Sequence, residues 1–409
     1  MLNIYSILAP IALVLLVVEM AYCLVQKNGI YTFQESFTNI STGMGNQLIN
    51  LLVMALVFSL YEPLYSWAPY KFEDSFLSMI ILLVLVDFIF YWVHRFGHEV
   101  NILWAAHSPH HSGEEMNLAL ALRASVTMRL ASFFFFWPLA LVGFSPQMIY
   151  AASGIQLILA FWHHTKLIGK MGWFEKYFNS PSHHRVHHGT NAKYLDKNYG
   201  EIFIIWDKMF GTFQAEEEEV NYGILRQPKS WNPLIINFHF WNMLFQDFKE
   251  TKSLWDKVRL WFMPLGWRPQ DVSYREPVRP FEKGDYQRYK SVEFKHARGY
   301  LLIQLGLGLS AMLYAMNMKN DLTISGRFFF GSFLWIGMVS WGAILESKTW
   351  GIILEFIKSS LLCLGLVLAH SYLGVAQLYL QPFIGISILT SAWVGFIYWK
   401  NRASSLQYA

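Results

Sequence analysis

Ser180-Pro-Ser-His183-His184-Arg-Val-His187-His188-Gly189 closes a stretch that opens 95 residues earlier at His94-Arg-Phe-Gly-His98. Between them lie His107-Ser-Pro-His110-His111 and the doublet His163-His164. Eleven of the chain's 14 histidines fall in this stretch, and only His239, His296 and His370 lie outside it. Histidines three or four apart on a helix stack their rings on one face. Neutral imidazole is also the commonest metal ligand near pH 7. A single tetrahedral zinc takes four ligands in all, so four such groups exceed one zinc site. They suit two metals sharing a cage of nitrogens.

The rest of the chain has to place that cage. Hydrophobic residues make up 54% of the 409 residues and charged residues only 15%, against about 25% charged in an ordinary globular protein. Such a composition belongs in a bilayer. The formal net charge of +4 gives no reason to expect a nucleic-acid partner. Cys23 and Cys363 both sit in apolar runs and imply no disulfide framework. The run from Ile7 to Leu24 lacks a basic flank and a cleavage site, and reads as a retained membrane anchor.

Crossing about 30 Å of hydrocarbon takes roughly 20 mostly apolar residues. Runs 4–25, 46–66, 75–97, 299–317, 328–345, 350–369 and 374–398 meet that need. Two more, 118–143 and 146–163, form a pair joined by Gly143-Phe-Ser-Pro146; Arg123 and Arg129 in the first make it a buried or re-entrant hairpin. Between Thr165 and Arg298 no run spans, and 21 of the 32 Lys and Arg lie there. With Lys400 and Arg402 this puts that region and the C-terminus on the cytoplasmic side, and the N-terminus opposite. All the histidine groups then emerge on one face.

The expected fold is all-α: a polytopic membrane protein with a histidine-box di-metal core on the cytoplasmic face. Its segments are N-terminal transmembrane helices over 1–73, the histidine core over 74–223, a cytoplasmic or interfacial segment over 224–295, and a C-terminal transmembrane bundle over 296–409. Within the third segment, Phe238 to Phe248 reads as a helix lying in the headgroup layer or packed on the protein. Glu216 to Glu219 reads as a solvated acidic loop.

Each histidine group also has a plainer reading. Asp87, Tyr91, His94 and His98 share one helical stripe, which is either a polar helix exit or a metal face with Asp87 or Tyr91 orienting a ligand. His107-x-x-His110-His111 offers i, i+3 and i+4 positions if Pro109 sits in the first helical turn. In the last group Ser180 suits an N-cap, Pro181 the first helical position and Gly189 the stop. His184, His187 and His188 then repeat the spacing of the second group, leaving His183 as a spare or a substrate contact. Neighbours His163 and His164 point about 100° apart, and His164 lies nearer the exit from its apolar run. Glu99 beside His98 reads on spacing alone as a solvated helix-end carboxylate.

At these residues the chain resembles the fatty acid hydroxylase/sterol desaturase superfamily of membrane di-iron enzymes. Within it the similarity is greatest to the tetrahydrobiopterin-dependent ether-lipid oxidases, the alkylglycerol monooxygenases. It is continuous through Asn117-Leu-Ala-Leu-Ala-Leu-Arg123, Phe161-Trp162-x-His164-Thr165, Ser180 to Gly189, Asp196-Lys-Asn-Tyr199 and Ile205 to Phe213, and is strong over 87–223. The resemblance implies His94, His98, His107, His110, His111, His164, His184, His187 and His188 as ligands of two iron ions. It gives Glu99 a catalytic role. Apart from the resemblance, Glu99, Arg123 and His183 are candidates to fix the substrate's polar head, and Asp87, Tyr91 and His163 are candidates to support a ligand from behind or to touch the substrate. His163 departs from the usual apolar residue, which leaves open which member of the doublet binds metal. The implied reaction uses O2 and tetrahydrobiopterin to hydroxylate the O-alkyl carbon of a glyceryl ether drawn from the membrane. A sterol or fatty-acyl oxidase would use the same boxes. A metal transporter fits less well, because transporters place ligands near the bilayer midplane. No pterin pocket or reductase partner is readable in the sequence.

Overall fold

The computed structural model describes residues 4–276, 278–281, 286–317, 324–373 and 377–405, and among them it is all helical with only isolated β-bridges. The helices in order are α1 Ile4–Gln26, α2 Phe33–Ser66, α3 Phe76–Glu99, α4 Asn101–His111, α5 Met128–Val142, α6 Pro146–Phe161, α7 Pro181–His187, α8 Ile205–Phe210, α9 Pro233–Glu250, α10 Leu254–Arg259, α11 Ala297–Asn317, α12 Ile324–Leu345, α13 Thr349–Leu373 and α14 Gln377–Ser405. The chain forms two compact units. One holds Met1–Pro228 with Asn237–Arg288, the other Lys229–Ile236 with Tyr289–Ala409.

In the first unit α3 is the central element. Ser75 caps it by accepting from the Ser78 amide at 3.1 Å. Leu82, Val86, Tyr91, His94 and His98 are buried at helical spacing, while Phe76, Leu77, Ile80 and Ile81 on the other side are exposed. Leu82 and Val86 join Val57 and Tyr61 of α2, Phe136 and Leu139 of α5, and Met148 and Ile149 of α6 in the main apolar core. The α5–α6 hairpin turns at Gly143, whose φ of 114° suits glycine. Pro146 then begins α6, with Ser145 as its cap.

The hairpin is shorter than the expected run 118–143. Its first helix begins at Met128, and residues 117–127 form a loop with a short 3-10 turn at Leu120–Leu122. The Asn117 side chain accepts from the Ala119 and Leu120 amides at 3.1 and 3.2 Å, a local bond that competes with helix. Arg123 is therefore not in a membrane run but locked in that loop. The side chains of Arg129, Phe133 and His370 lie outside the described residues.

Among the described residues two helices are long and apolar enough to cross a membrane: Phe76–Glu99, and Gly326–Leu345 within α12. The apolar parts of α1 and α6 are shorter. Helices occupy the described residues of the other expected runs, and buried polar groups flank one of them and enter another. The N-terminal half of α2 buries Glu35, Thr38, Asn39, Thr42 and Asn46. In the second unit α13 buries Glu355 against Lys358 of its own helix, Tyr300 and Ser340.

Candidate metal centre

The histidines reach the centre from four places: the last turns of α3, the second half of α4, the chain just after α6, and α7 with its C-cap. The Ser180 hydroxyl caps α7 by accepting from the His183 amide at 3.4 Å, Pro181 starts the helix, and the chain leaves it through His188 and Gly189. These are the positions the sequence calls for. Pro109, in contrast, lies in the last turn of α4 rather than the first, yet the i, i+3, i+4 spacing survives.

The nitrogens sort into two groups, each with its ligand atoms within 4.8 Å of one another. His94, His98, His107, His111 and His187 form one; His110, His164, His184 and His188 form the other. In the first, His111 Nε2 lies 2.9 Å from His107 Nε2, 3.2 Å from His98 Nε2 and 3.1 Å from His187 Nε2, and His94 Nε2 lies 3.0 Å from His107 Nε2. In the second, His184 Nε2 lies 2.9 Å from His164 Nε2 and 3.2 Å from His188 Nε2, and His164 Nε2 lies 3.2 Å from His110 Nε2.

Hydrogen bonding among imidazoles does not account for these approaches. A neutral ring carries one proton on one nitrogen, so a nitrogen facing three others cannot satisfy them all. A central cation can. Nitrogens about 2.1 Å from one metal and at right angles to each other stand about 3.0 Å apart, whereas a tetrahedral arrangement would spread them to about 3.4 Å. The donor set therefore fits one metal per group, with the shorter, right-angle spacing.

The far sides of the rings agree. His94 Nδ1 faces the Tyr199 carbonyl at 2.8 Å, His110 Nδ1 that of Arg123 at 3.0 Å, His187 Nδ1 that of Lys197 at 3.0 Å and His164 Nδ1 that of Ala160 at 3.3 Å. A carbonyl accepts only, so each Nδ1 carries the proton and each Nε2 presents its lone pair inward. Burial, reinforced by neighbouring imidazoles, holds His107, His111, His164, His184, His187 and His188 well below the ordinary histidine range. Burial takes His110 down to about 4. These seven rings stay uncharged at neutral pH, as ligands must.

The division between groups follows helix geometry. Positions i and i+4 diverge by about 40°, whereas i+3 lies on the other side of i by about 60°. So His107 and His111 of α4 serve the five-nitrogen group and His110 serves the other; on α7 and its C-cap, His184 and His188 serve the four-nitrogen group and His187 crosses over. Each H-x-x-H-H box straddles both groups, and the two boxes do so reciprocally.

The Fatty acid hydroxylase family model matches residues 79–212, which contain all nine of these histidines. Alkylglycerol monooxygenase of Homo sapiens is 40% identical over 240 residues, 58% of this chain and 53% of that protein. The enzymes of that name from Danio rerio and Xenopus tropicalis are each 30% identical, over 90% and 93% of this chain and 82% and 86% of theirs. The chain belongs to the alkylglycerol monooxygenase family. It spans about half of the human relative and most of the other two. No solved structure matches it.

Within this member of the alkylglycerol monooxygenase family, the remaining expected site residues take distinct places. His163 is buried outside both groups, its ring 4.7 Å from that of Trp162, and burial lowers it to about 3. His183 stands against Phe213 at 5.5 Å, and its backbone carbonyl accepts from Asn198 at 3.1 Å. Asp87 accepts from the Ile202 and Phe203 amides at 2.8 and 3.1 Å and from Trp206 Nε1 at 2.9 Å, so it holds the 202–206 loop rather than an imidazole. Tyr91 meets Thr212 Oγ1 at 3.0 Å. Glu99 is 42% exposed and pairs with Arg95 at 2.8 Å, outside both nitrogen groups. Arg123 donates to Glu35 at 2.9 Å, Asn39 at 3.0 Å, Ser112 at 3.0 Å and the Pro109 carbonyl at 3.1 Å. That grip fixes the Arg123 carbonyl behind His110. The described His239 and His296 are in neither group.

Other residues matter that spacing alone did not single out. Asn198, at a φ of 54°, donates to the carbonyls of His183 and Gln214 at 3.1 and 2.7 Å. Asp207 accepts from the Tyr199 and Gly200 amides at 2.7 Å each. Together they fix the loop whose Lys197 and Tyr199 carbonyls hold His187 and His94. Glu201 of the same loop is buried with a carboxylate oxygen 3.9 Å from His94 Nδ1, and burial raises it to about 8. Glu216 clamps Arg185 of α7 at 2.7 Å through both oxygens, so the acidic loop is tied down at its first residue.

Proposed function

We propose that this chain is an O2-dependent monooxygenase of the bilayer that hydroxylates the O-alkyl carbon of glyceryl ether lipids. The nine histidines hold two iron ions, and a tetrahydropterin is the reductant. The observation carrying the reading is the sorting of nine inward-facing nitrogens into groups of five and four in a chain related along most of its length to alkylglycerol monooxygenases. Iron held by these imidazoles would supply the O2 reduction.

The chain's own residues keep that centre buried and its ligands neutral, and set every ring through a backbone carbonyl or a packed neighbour. One oxygen atom of O2 enters the C–H bond next to the ether oxygen. The other leaves as water, with two electrons and two protons from the reductant. The resulting hemiacetal breaks its carbon–oxygen bond to give a fatty aldehyde and a free glycerol hydroxyl. Glu99, paired with Arg95 one turn before His98, acts in turnover at the rim, while Arg123 supports His110 from behind.

The chain crosses the membrane several times. Residues 74–223 form the catalytic core, flanked by transmembrane helices in 1–73 and 296–409 and an interfacial segment in 224–295. The metals face the cytoplasm, in an endoplasmic reticulum membrane or a bacterial inner membrane. An apolar path for the alkyl tail is walled by the aromatic-rich runs Phe133 to Trp137 and Phe88 to Trp92 and by the end of the 146–163 run.

Purified protein in lipid nanodiscs, given an alkylglycerol, 18O2 and tetrahydrobiopterin, should release fatty aldehyde and lose activity without the pterin. Turnover of sterols or fatty acyl chains in place of ethers would defeat the substrate assignment. Glu99→Gln should keep two metals and lose most turnover; normal turnover by that variant removes Glu99 from the mechanism.

A further inference from the structure

Outside the helices read as spanning, exposed apolar side chains crowd together at α10 and the turn after it. Leu254 is 80% exposed, Trp255 66%, Val258 57% and Phe262 68%. At about 100° per residue Leu254, Trp255 and Val258 fall within one arc of about 100° on α10, and Phe262 follows in the turn after it. The opposite side is already used, because Leu260 is buried against Ala105 and Leu244. A single exposed apolar side chain is ordinary, but four on one strip form a contact face.

The depth of this strip is set by its backbone. Leu265 N donates to the Glu99 carbonyl at 2.7 Å, Asn101 N to Met263 O at 3.1 Å and Ile102 N to Trp261 O at 2.9 Å. The Asn101 side chain donates to the carbonyls of Leu260 and Trp267 at 3.0 and 3.2 Å. The 260–267 segment is thus fastened to residues 99–102, where α3 ends. At about 1.5 Å per residue α3 is about 36 Å long, some 6 Å more than the hydrocarbon core. With α3 as a span, its C-terminal end and the segment fastened to it would lie at headgroup level. Basic side chains flank the strip: Lys249 lies over Phe245 and Lys257 over Phe248 at 4.5 and 5.3 Å, with Lys252 beside them in sequence. Aromatic and aliphatic groups beneath lysines match the boundary between acyl chains and anionic headgroups.

We propose that α10 and its following turn form a foot that sits in the headgroup–acyl boundary of a bilayer containing anionic lipid. Because the foot is fastened to 99–102, it holds the α3–α4 corner, which carries five of the nine clustered histidines, at the membrane surface. The inference rests on α3 being a membrane span, and one experiment separates the two.

Single nitroxides are placed at Trp255→Cys, Val258→Cys, Phe262→Cys, Gln270→Cys and Ile81→Cys in the full chain, with Cys23 and Cys363 replaced by alanine. Each protein is reconstituted in nanodiscs of zwitterionic lipid or of the same lipid with anionic phosphatidylserine. Collision with O2 should exceed collision with a water-soluble nickel chelate at 81, 255, 258 and 262, and the order should reverse at 270. The three foot positions should read deeper on anionic discs, and replacing Lys249, Lys252 and Lys257 by glutamine should remove that increment. Chelate access at 255–262 with lipid access kept at 81 overturns the foot alone; chelate access at 81 overturns the span beneath it. Equal depth on both discs overturns the anionic preference. Dipolar coupling between singly labelled chains would put a second copy on this face and overturn the lipid assignment.

Discussion

Replacing His164 by alanine should remove one metal and leave the other. His164 Nε2 is 2.9 Å from His184 Nε2 and 3.2 Å from His110 Nε2, so the four-nitrogen group would fall to three. Four-ligand structural zinc sites are worth about 10–16 kcal/mol, or about 3 kcal/mol per donor if shared evenly. A loss of that size weakens binding about 100-fold. The five-nitrogen group draws nothing from this segment and should hold its ion. His163→Ala is the matched control, because its ring is buried one residue away but joins neither group. It should keep two metals per chain and show its cost as a lower unfolding temperature from the cavity left behind. Both variants are purified, dialysed against a chelator of intermediate affinity and assayed for metal by elemental analysis. Two metals in His164→Ala with one in His163→Ala would reassign the ligand. Two in both would refute the grouping.

Acid should weaken the metal-free fold through its buried histidines. Burial lowers His163 to about 3 and His183 and His110 to about 4, so from the ordinary value of 6.5 downward only the unfolded chain takes up their protons. Glu201, raised to about 8, works the opposite way, so the test is a difference. Between about pH 6.5 and 4 the chelated parent should lose stability more steeply than chelated His163→Ala, followed by urea unfolding, and equal slopes contradict it. Asp87→Ala strands the Ile202 and Phe203 amides and Trp206 Nε1, at about 1–3 kcal/mol for each donor left unpaired. Hydrogen exchange at Ile202 and Phe203 should rise sharply, and unchanged protection would refute the tether. Gly143→Ala puts a Cβ 2.0 Å from the Tyr70 carbonyl oxygen at a φ of 114°, so the α5–α6 turn must shift. A melting temperature within a degree of the parent would show that the turn gives way freely.

The sequence carries the ligands and the caps because both depend on neighbours a few residues apart. Ser180, Pro181 and Gly189 delimit α7, and three imidazoles at i, i+3 and i+4 on α4 and α7 are visible without any tertiary knowledge. The allotment of His110 and His187 to the opposite group is not visible, because it depends on how α4 and α7 face each other. Arg123 shows the same limit. Read as part of an apolar run it looked costly, but its partner Glu35 is 88 residues away in the chain. Asp87, Asn198 and Asp207 act on backbone amides and carbonyls of remote loops, a kind of partner no side-chain pattern announces.

The reciprocal boxes also make the spacing between the two centres a property of helix pitch. Neighbours His110 and His111 lean to opposite sides of one ridge, and His187 and His188 do the same on the other. Inserting one residue between His107 and His110 would turn the later pair by about 100°. Both donors would then leave their own centre together, so each centre would lose a ligand from a single change. In this chain the five-residue boxes thus behave as gear teeth, each tooth engaging both centres at once.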